Sequence, residues 1–143
     1  MDEPTTHDLV AQALAARQSA YCPYSGFAVG AALLTSSNNV YVGCNVENIS
    51  FGATICAERN AIAAAVAANM RGGELAALAI VGGPITADAR IASKTLPCGA
   101  CLQVVNEFAG ANCRIVCADA TADGLGEIRN YHLSDLLPQP FGG

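Results

Sequence analysis

The chain has 143 residues, of which 52% are hydrophobic and only 13% charged. That length suits one compact domain over residues 1–143, and the composition excludes a disordered chain and leaves apolar surface to be buried between subunits. Twelve acidic against seven basic residues give a net charge of −5, which argues against a phosphate-backbone partner, because such binding needs clustered cations.

No apolar run reaches the roughly 18 residues of a membrane span. The start, Met1-Asp2-Glu3-Pro4, lacks the basic-then-apolar pattern of a secretory signal. The expectation is a soluble, cytoplasmic protein with a small, nearly neutral ligand and neither nucleic-acid nor membrane partners. Seven cysteines make an odd count, which points away from a disulfide framework and towards metal or catalysis.

Along the chain, Thr5-Thr6-His7-Asp8 has capping-box spacing, and Leu9, Val10, Ala13 and Leu14 continue an apolar helical face. Tyr21 to Gly26 breaks that helix. Phe27 to Leu34 reads as a buried strand, Ser36 to Asn39 as a turn, and Val40 to Cys44 as the second strand. A helix is predicted from about Cys56 to Met70, stopped by Arg71-Gly72-Gly73, with an alanine-rich body suited to close packing. Leu75 to Val81 is the third strand and Gly82 to Thr95 a loop. Cys98 to Ala109 is a helix, Cys113 to Ala118 the fourth strand, Glu127 to His132 the fifth, and Leu133 to Leu137 a terminal helical turn. The order predicts a three-layer α/β fold, a mixed five-stranded sheet flanked by helices. Cys22, Cys44, Cys113 and Cys117 are expected to be buried, inert thiols.

The chemistry concentrates in two short stretches. Pro97-Cys98-Gly99-Ala100-Cys101 places two thiols at the start of a helix, where the nearby N–H groups favour thiolate. By itself this spacing fits a zinc site, a dithiol redox pair or chance. Cys56-Ala57-Glu58-Arg59 adds a third thiol at another helix start. Three ligands leave one zinc position for water, the arrangement of a catalytic rather than a structural site. Glu58, two residues beyond Cys56, diverges from it around the helix and belongs beside the metal as a general acid/base. Three thiolates on Zn²⁺ leave a net charge of −1, so Arg59, on the same helix face as Cys56, is expected to donate to a sulfur and offset it.

Ligand-x-Glu followed by Pro-Cys-x-x-Cys is the signature of the zinc deaminases. Tyr21 to Leu33 (Tyr-Cys-Pro-Tyr-Ser-Gly-Phe-Ala-Val-Gly-Ala-Ala-Leu), Gly43 to Asn48, Cys56 to Arg59 and Leu136 to Gly142 together resemble the small homotetrameric zinc-dependent cytidine deaminases, in the same order and across most of the chain. The resemblance implies hydrolytic deamination of cytidine and 2′-deoxycytidine to uridine and 2′-deoxyuridine, releasing ammonia, for pyrimidine salvage. Zn²⁺ would be held by Cys56, Cys98 and Cys101, and Glu58 would carry the protons.

It further implies that Asn45 and Glu47 bind the ribose, that Phe27 packs on the pyrimidine and that the Ala57 N–H donates to the 2-oxo group. Phe51 would lie near the 5′ end of the nucleoside, Phe141 would complete an aromatic wall, and Gln103 would be a polar residue near the metal. The family's tetramer finishes each active site with neighbouring subunits. Two positions depart from its pattern: Leu102 stands where arginine is usual, and Phe51 where tyrosine is frequent. Rival readings are a deaminase of another aminopyrimidine or nucleoside analogue, a zinc-stabilised binding module, and a thiol redox protein.

Overall fold

The computed structural model describes residues 4–86 and 94–143. Helix α1 (Thr6–Arg17) opens with the capping box expected from its sequence: Thr5 Oγ1 accepts from the Asp8 N–H at 3.1 Å, and the Thr5 N–H donates to Asp8 Oδ2 at 2.8 Å. Strands β1 (Phe27–Thr35) and β2 (Val40–Cys44) form an antiparallel hairpin. After a 3-10 turn (Phe51–Ala53) come α2 (Ala57–Ala67), β3 (Leu75–Pro84), α3 (Gly99–Phe108) and β4 (Ala109–Thr121). A two-residue β5 (Gly124–Leu125), β6 (Arg129–His132) and α4 (Leu133–Leu136) complete the chain.

The sheet runs β2-β1-β3-β4, with β5 and β6 both pairing with β4. Only β3 and β4 are parallel, joined across α3; the other pairings are antiparallel. This is the expected mixed sheet between helices, with β5 as an unforeseen sixth strand too short for periodicity to reveal. Side chains alternate across it. Ala31, Leu33, Leu78, Ile80, Ile115 and Cys117 pack with α2 and α3. Ala32, Leu34, Ala77, Ala79, Val81 and Val116 pack against Leu9, Val10 and Ala13 of α1.

Several boundaries move. Helix α2 stops before Met70 because Asn69 adopts a left-handed φ of 78°. The Met70 N–H then bonds Ala65 O at 2.9 Å and the Asn69 N–H bonds Val66 O at 2.9 Å, a Schellman closure that makes Asn69 the stop in place of Gly72-Gly73. Strand β4 begins directly at the end of α3, and β3 continues to Pro84. The predicted loop therefore starts later than Gly82, and its residues 87–93 lie outside the described residues, as does the Met1–Glu3 start. Of the four cysteines expected to be buried, Cys22, Cys113 and Cys117 are, but Cys44 is half-buried at the sheet edge. Burial pushes Cys113 up to about 11 and Cys117 up to about 12, which keeps both as thiols. No helix among the described residues is long and apolar enough to cross a membrane.

Candidate active site

Two helix starts meet on one face of the sheet. Cys56 is the N-cap residue of α2 and Cys98 that of α3, with Cys101 in the first turn of α3. The approach of α2 to the sheet is set by Gly43: a Cβ there would lie 2.5 Å from Ala61 N and 2.7 Å from Ala57 O. Asn60 Nδ2 also ties α2 to Cys44 O at 2.8 Å.

The Sγ atoms of Cys56, Cys98 and Cys101 all lie within 4.8 Å of one another, and those of Cys56 and Cys98 are 3.9 Å apart. Zn–S bonds of about 2.3 Å in a tetrahedron place sulfurs about 3.8 Å apart, so the spacing fits zinc. Charge gives the same answer. Cys56 is lowered to about 5, chiefly by a hydrogen bond from the Cys101 thiol, with burial opposing and Arg59 and Cys98 assisting. Cys101 is correspondingly pushed up, first by that shared proton and then by burial. Thiolates this close repel one another, and a divalent cation would supply the charge that lets all three sulfurs ionise together. Arg59 Nη2 donates to Cys56 Sγ at 3.4 Å, the contact expected from its place on the helix.

Glu58 is only 4% exposed. Burial is the main cause of its raised pKa, and the nearby Cys56 adds to it while its own N–H, Cys101 and Arg59 oppose. It lines a cavity of 530 Å³ together with Phe27, Asn45, Glu47, Cys56, Ala57 and Cys98. A carboxyl group, two of the cluster's cysteines and a set of polar groups thus open onto one hollow of small-molecule size.

The two polar residues are held in different ways. Asn45 spends its amide on β1, with Oδ1 accepting from the Val29 N–H at 2.9 Å and Nδ2 donating to Phe27 O at 2.9 Å. One amide hydrogen and one lone-pair site remain. Glu47 Oε1 accepts from the Tyr24 and Ser25 N–H groups at 3.0 and 3.1 Å, and Oε2 accepts from Ser25 Oγ. These bonds hold its carboxyl below the usual range against the cost of burial. A second hollow of 590 Å³ lies against Arg17, Pro84 and Ala120, but the Arg17 guanidinium there is engaged by three carbonyls, and the one three-cysteine cluster among the described residues lies at the other cavity.

Residues 4–118 match the family model for the cytidine and deoxycytidylate deaminase zinc-binding region. The chain belongs to that family. A crystal structure of cytidine deaminase from Burkholderia pseudomallei superposes with a TM-score of 0.83 at 44% identity, covering 96% of this chain and 99% of the other. Cytidine deaminase from Sporosarcina psychrophila is 38% identical over 134 residues, 93% of this chain and 88% of that protein. The Mycobacterium tuberculosis cytidine deaminase is 42% identical over 127 residues, 89% of this chain and 82% of the other. The family's zinc-binding region and the three-cysteine cluster together fit Zn²⁺.

Within this deaminase fold, three predicted residues stand apart from the cavity. Phe51 is 72% exposed and lines a smaller adjoining depression, its ring edge-on to Tyr24 at 5.7 Å. Phe141 is 88% exposed. Gln103 is engaged with the Phe141 backbone: Nε2 donates to its carbonyl at 3.1 Å and Oε1 accepts from its N–H at 3.2 Å. Leu102, where the resembled pattern has arginine, lies on α3 and is buried in the core that α3 shares with α2 and the sheet.

Sequence reasoning missed the wall formed by Thr54, Lys94, Thr95 and Leu96, and Ser25 beside Glu47. Only proximity to Pro97-Cys98 could have drawn notice to Lys94, Thr95 and Leu96.

Proposed function

We propose that the chain, as a single domain over residues 1–143, catalyses the hydrolysis of cytidine and 2′-deoxycytidine to uridine and 2′-deoxyuridine with release of ammonia. The observation that carries this reading is the buried Glu58 carboxyl beside the three-sulfur cluster, at a cavity that also holds Asn45 and Glu47. Zn²⁺ held by Cys56, Cys98 and Cys101 supplies a Lewis acid that makes water a nucleophile near neutral pH.

The chain's own residues do the rest. Glu58 accepts one proton as water adds to C4 of the base and delivers it to N3. It then takes the second proton from the newly added hydroxyl and delivers it to the departing amine, which leaves as ammonia as the C4–N bond breaks. The low exposure of Glu58 raises the proton affinity of the carboxylate, which suits a group that must take a proton before passing it on. Arg59 offsets the thiolate charge by its donation to Cys56 Sγ. The Ala57 N–H, at the first position of α2 and so without an intrahelical partner, donates to the 2-oxo group, and Phe27 packs on the ring. The remaining donor and acceptor capacity of Asn45 and the fixed carboxyl of Glu47 hold the ribose.

Phe51 serves the site from a neighbouring copy, which accounts for a large aromatic left exposed on one chain, while Phe141 completes the aromatic wall and Gln103, which pins Phe141, is the polar residue near the metal. The working form is thus a homotetramer. A cytoplasmic salvage role and the absence of nucleic-acid and membrane partners agree with the acidic charge.

The experiment combines a zinc assay with a panel of nucleosides, nucleotides and free bases, followed by loss of cytosine absorbance and appearance of ammonia. The expected result is one zinc per chain with cytidine and 2′-deoxycytidine consumed. A protein that holds zinc and leaves both intact is a binding module, and preferential turnover of another compound reassigns the substrate. Light scattering that finds an active monomer removes the tetramer.

A further inference from the structure

The only ion pair among the described residues lies next to the cavity rather than on the open surface. Asp119, on β4, faces Arg129, on β6, with Arg129 Nη1 3.4 Å from Asp119 Oδ2 and side chains only 23% and 10% exposed. Both also bond one further residue, while Arg129 Nε has no partner among the described residues. Asp119 Oδ1 accepts from the Thr95 N–H at 2.8 Å, and Arg129 Nη2 donates to Thr95 O at 2.8 Å. Thr95 also donates through Oγ1 to Gly82 O at 3.2 Å. Its side chain covers the bare Cα of Gly82: a Cβ there would meet Thr95 Cγ2 at 2.9 Å and Phe27 Cε1 at 3.0 Å.

Thr95 is buried, and the segment Lys94 to Cys98 supplies one wall of the cavity and one of the three sulfurs. It belongs to no helix or strand before α3 begins, so neither a strand ladder nor a helix orders it. A half-buried ion pair by itself adds little stability, because desolvation offsets much of the attraction. This pair is used to satisfy both backbone groups of one residue in a segment that needs a fixed course. Asp119 is suited to this by register: it follows Ile115 and Cys117 at two-residue spacing, on the sheet face that carries α2 and α3.

We propose that Asp119 and Arg129 are positioning residues that clamp Thr95, and thereby set both the Lys94–Cys98 wall of the cavity and the placement of the Cys98 sulfur. The cavity half of this claim rests on the deaminase reading; the sulfur half does not.

The test uses the full-length zinc-loaded protein. Asp119→Ala removes the acceptor for Thr95, Asp119→Asn keeps it, and Arg129→Lys exchanges the two-pronged donor for a single ammonium. Arg17→Lys is the control, since Arg17 also ties strand ends through Ala28 O, Gly83 O and Pro84 O but does not line the cavity. Two quantities are read: the rate of zinc transfer to a chromogenic chelator, and kcat/KM on cytidine at equal zinc content. Asp119→Ala is expected to release zinc about ten- to a hundredfold faster and to lose about tenfold or more in kcat/KM, the scale typical of groups that orient metal ligands. Arg129→Lys should shift both in the same direction, Asp119→Asn should restore most of both, and Arg17→Lys should leave both at the wild-type level.

The clamp is refuted if Asp119→Ala or Arg129→Lys behaves like Arg17→Lys, or if Asp119→Asn is as impaired as Asp119→Ala. Should Asp119→Ala fail to fold, Arg129→Lys against Arg17→Lys decides. A wild-type protein that holds zinc without consuming cytidine overturns the function, and zinc release still decides the clamp.

Discussion

The two faces of the sheet are built from similar material and put to different uses. On one, α1 begins with a complete capping box at Thr5 and lays Leu9, Val10 and Ala13 on an apolar bed of Ala32, Leu34, Ala77 and Val81. On the other, α2 begins at Cys56 with no side-chain cap at all, and α3 at Cys98 with only a sulfur accepting from the Cys101 N–H at 3.4 Å. Cysteine at an N-cap forgoes the stabilisation that serine, threonine or aspartate would bring there. The gain is that the N–H groups of two helix starts lie beside three sulfurs. Packing on the first face is an end in itself; on the second it locates α2, α3 and the groups they carry.

The contrast can be tested by disturbing each face separately with zinc held constant. The largest effect on stability belongs to the α1 face. Leu9→Ala is expected to cost about 2–5 kcal/mol in urea unfolding, the usual range for a buried leucine, while the folded enzyme keeps its kcat. Loss of kcat in the folded variant would mean that the two faces are coupled.

Next come the glycines at the two helix–strand contacts. A Cβ on Gly30 would strike Ala13 O and the Arg17 backbone, and one on Gly43 would strike the Ala57 and Ala61 backbone. Gly30→Ala and Gly43→Ala should each destabilise by about 1–3 kcal/mol through overpacking. Only Gly43→Ala should also lower kcat/KM, because it displaces the helix that bears Glu58. Equal kinetic losses in the two variants would dissolve the distinction. Thr5→Ala is the smallest change, about 1 kcal/mol from the lost cap with no change in kcat.

The same contrast explains what could be read from sequence. The α1 face was legible because capping-box chemistry and apolar spacing are local, and so are the strand alternation and the two cysteine stretches. Cys56 and Cys98 are 42 residues apart, yet each announces itself through neighbours a few positions away. Other features depend on partners that spacing does not reveal. Asn45 reads as a free polar group, but β1 takes up most of its amide. Asn69 ends α2 because it can adopt a left-handed φ, a role that Gly72-Gly73 advertised more loudly. The β4 strand outruns its apolar stretch because backbone pairing with β3 reaches Ala109, where no hydrophobic pattern marks it. Thr95 is an ordinary loop residue until Asp119 and Arg129 arrive from more than twenty residues downstream.

The central claim is that Glu58 moves protons beside a metal held by the three cysteines. Glu58→Gln keeps the size of the side chain and removes its acid–base function, so zinc content and turnover measured together on this one variant decide the matter. One zinc per chain with cytidine deamination reduced by about 10²–10⁴-fold or more is the expected result; one zinc per chain with turnover near that of the unaltered protein would contradict the account.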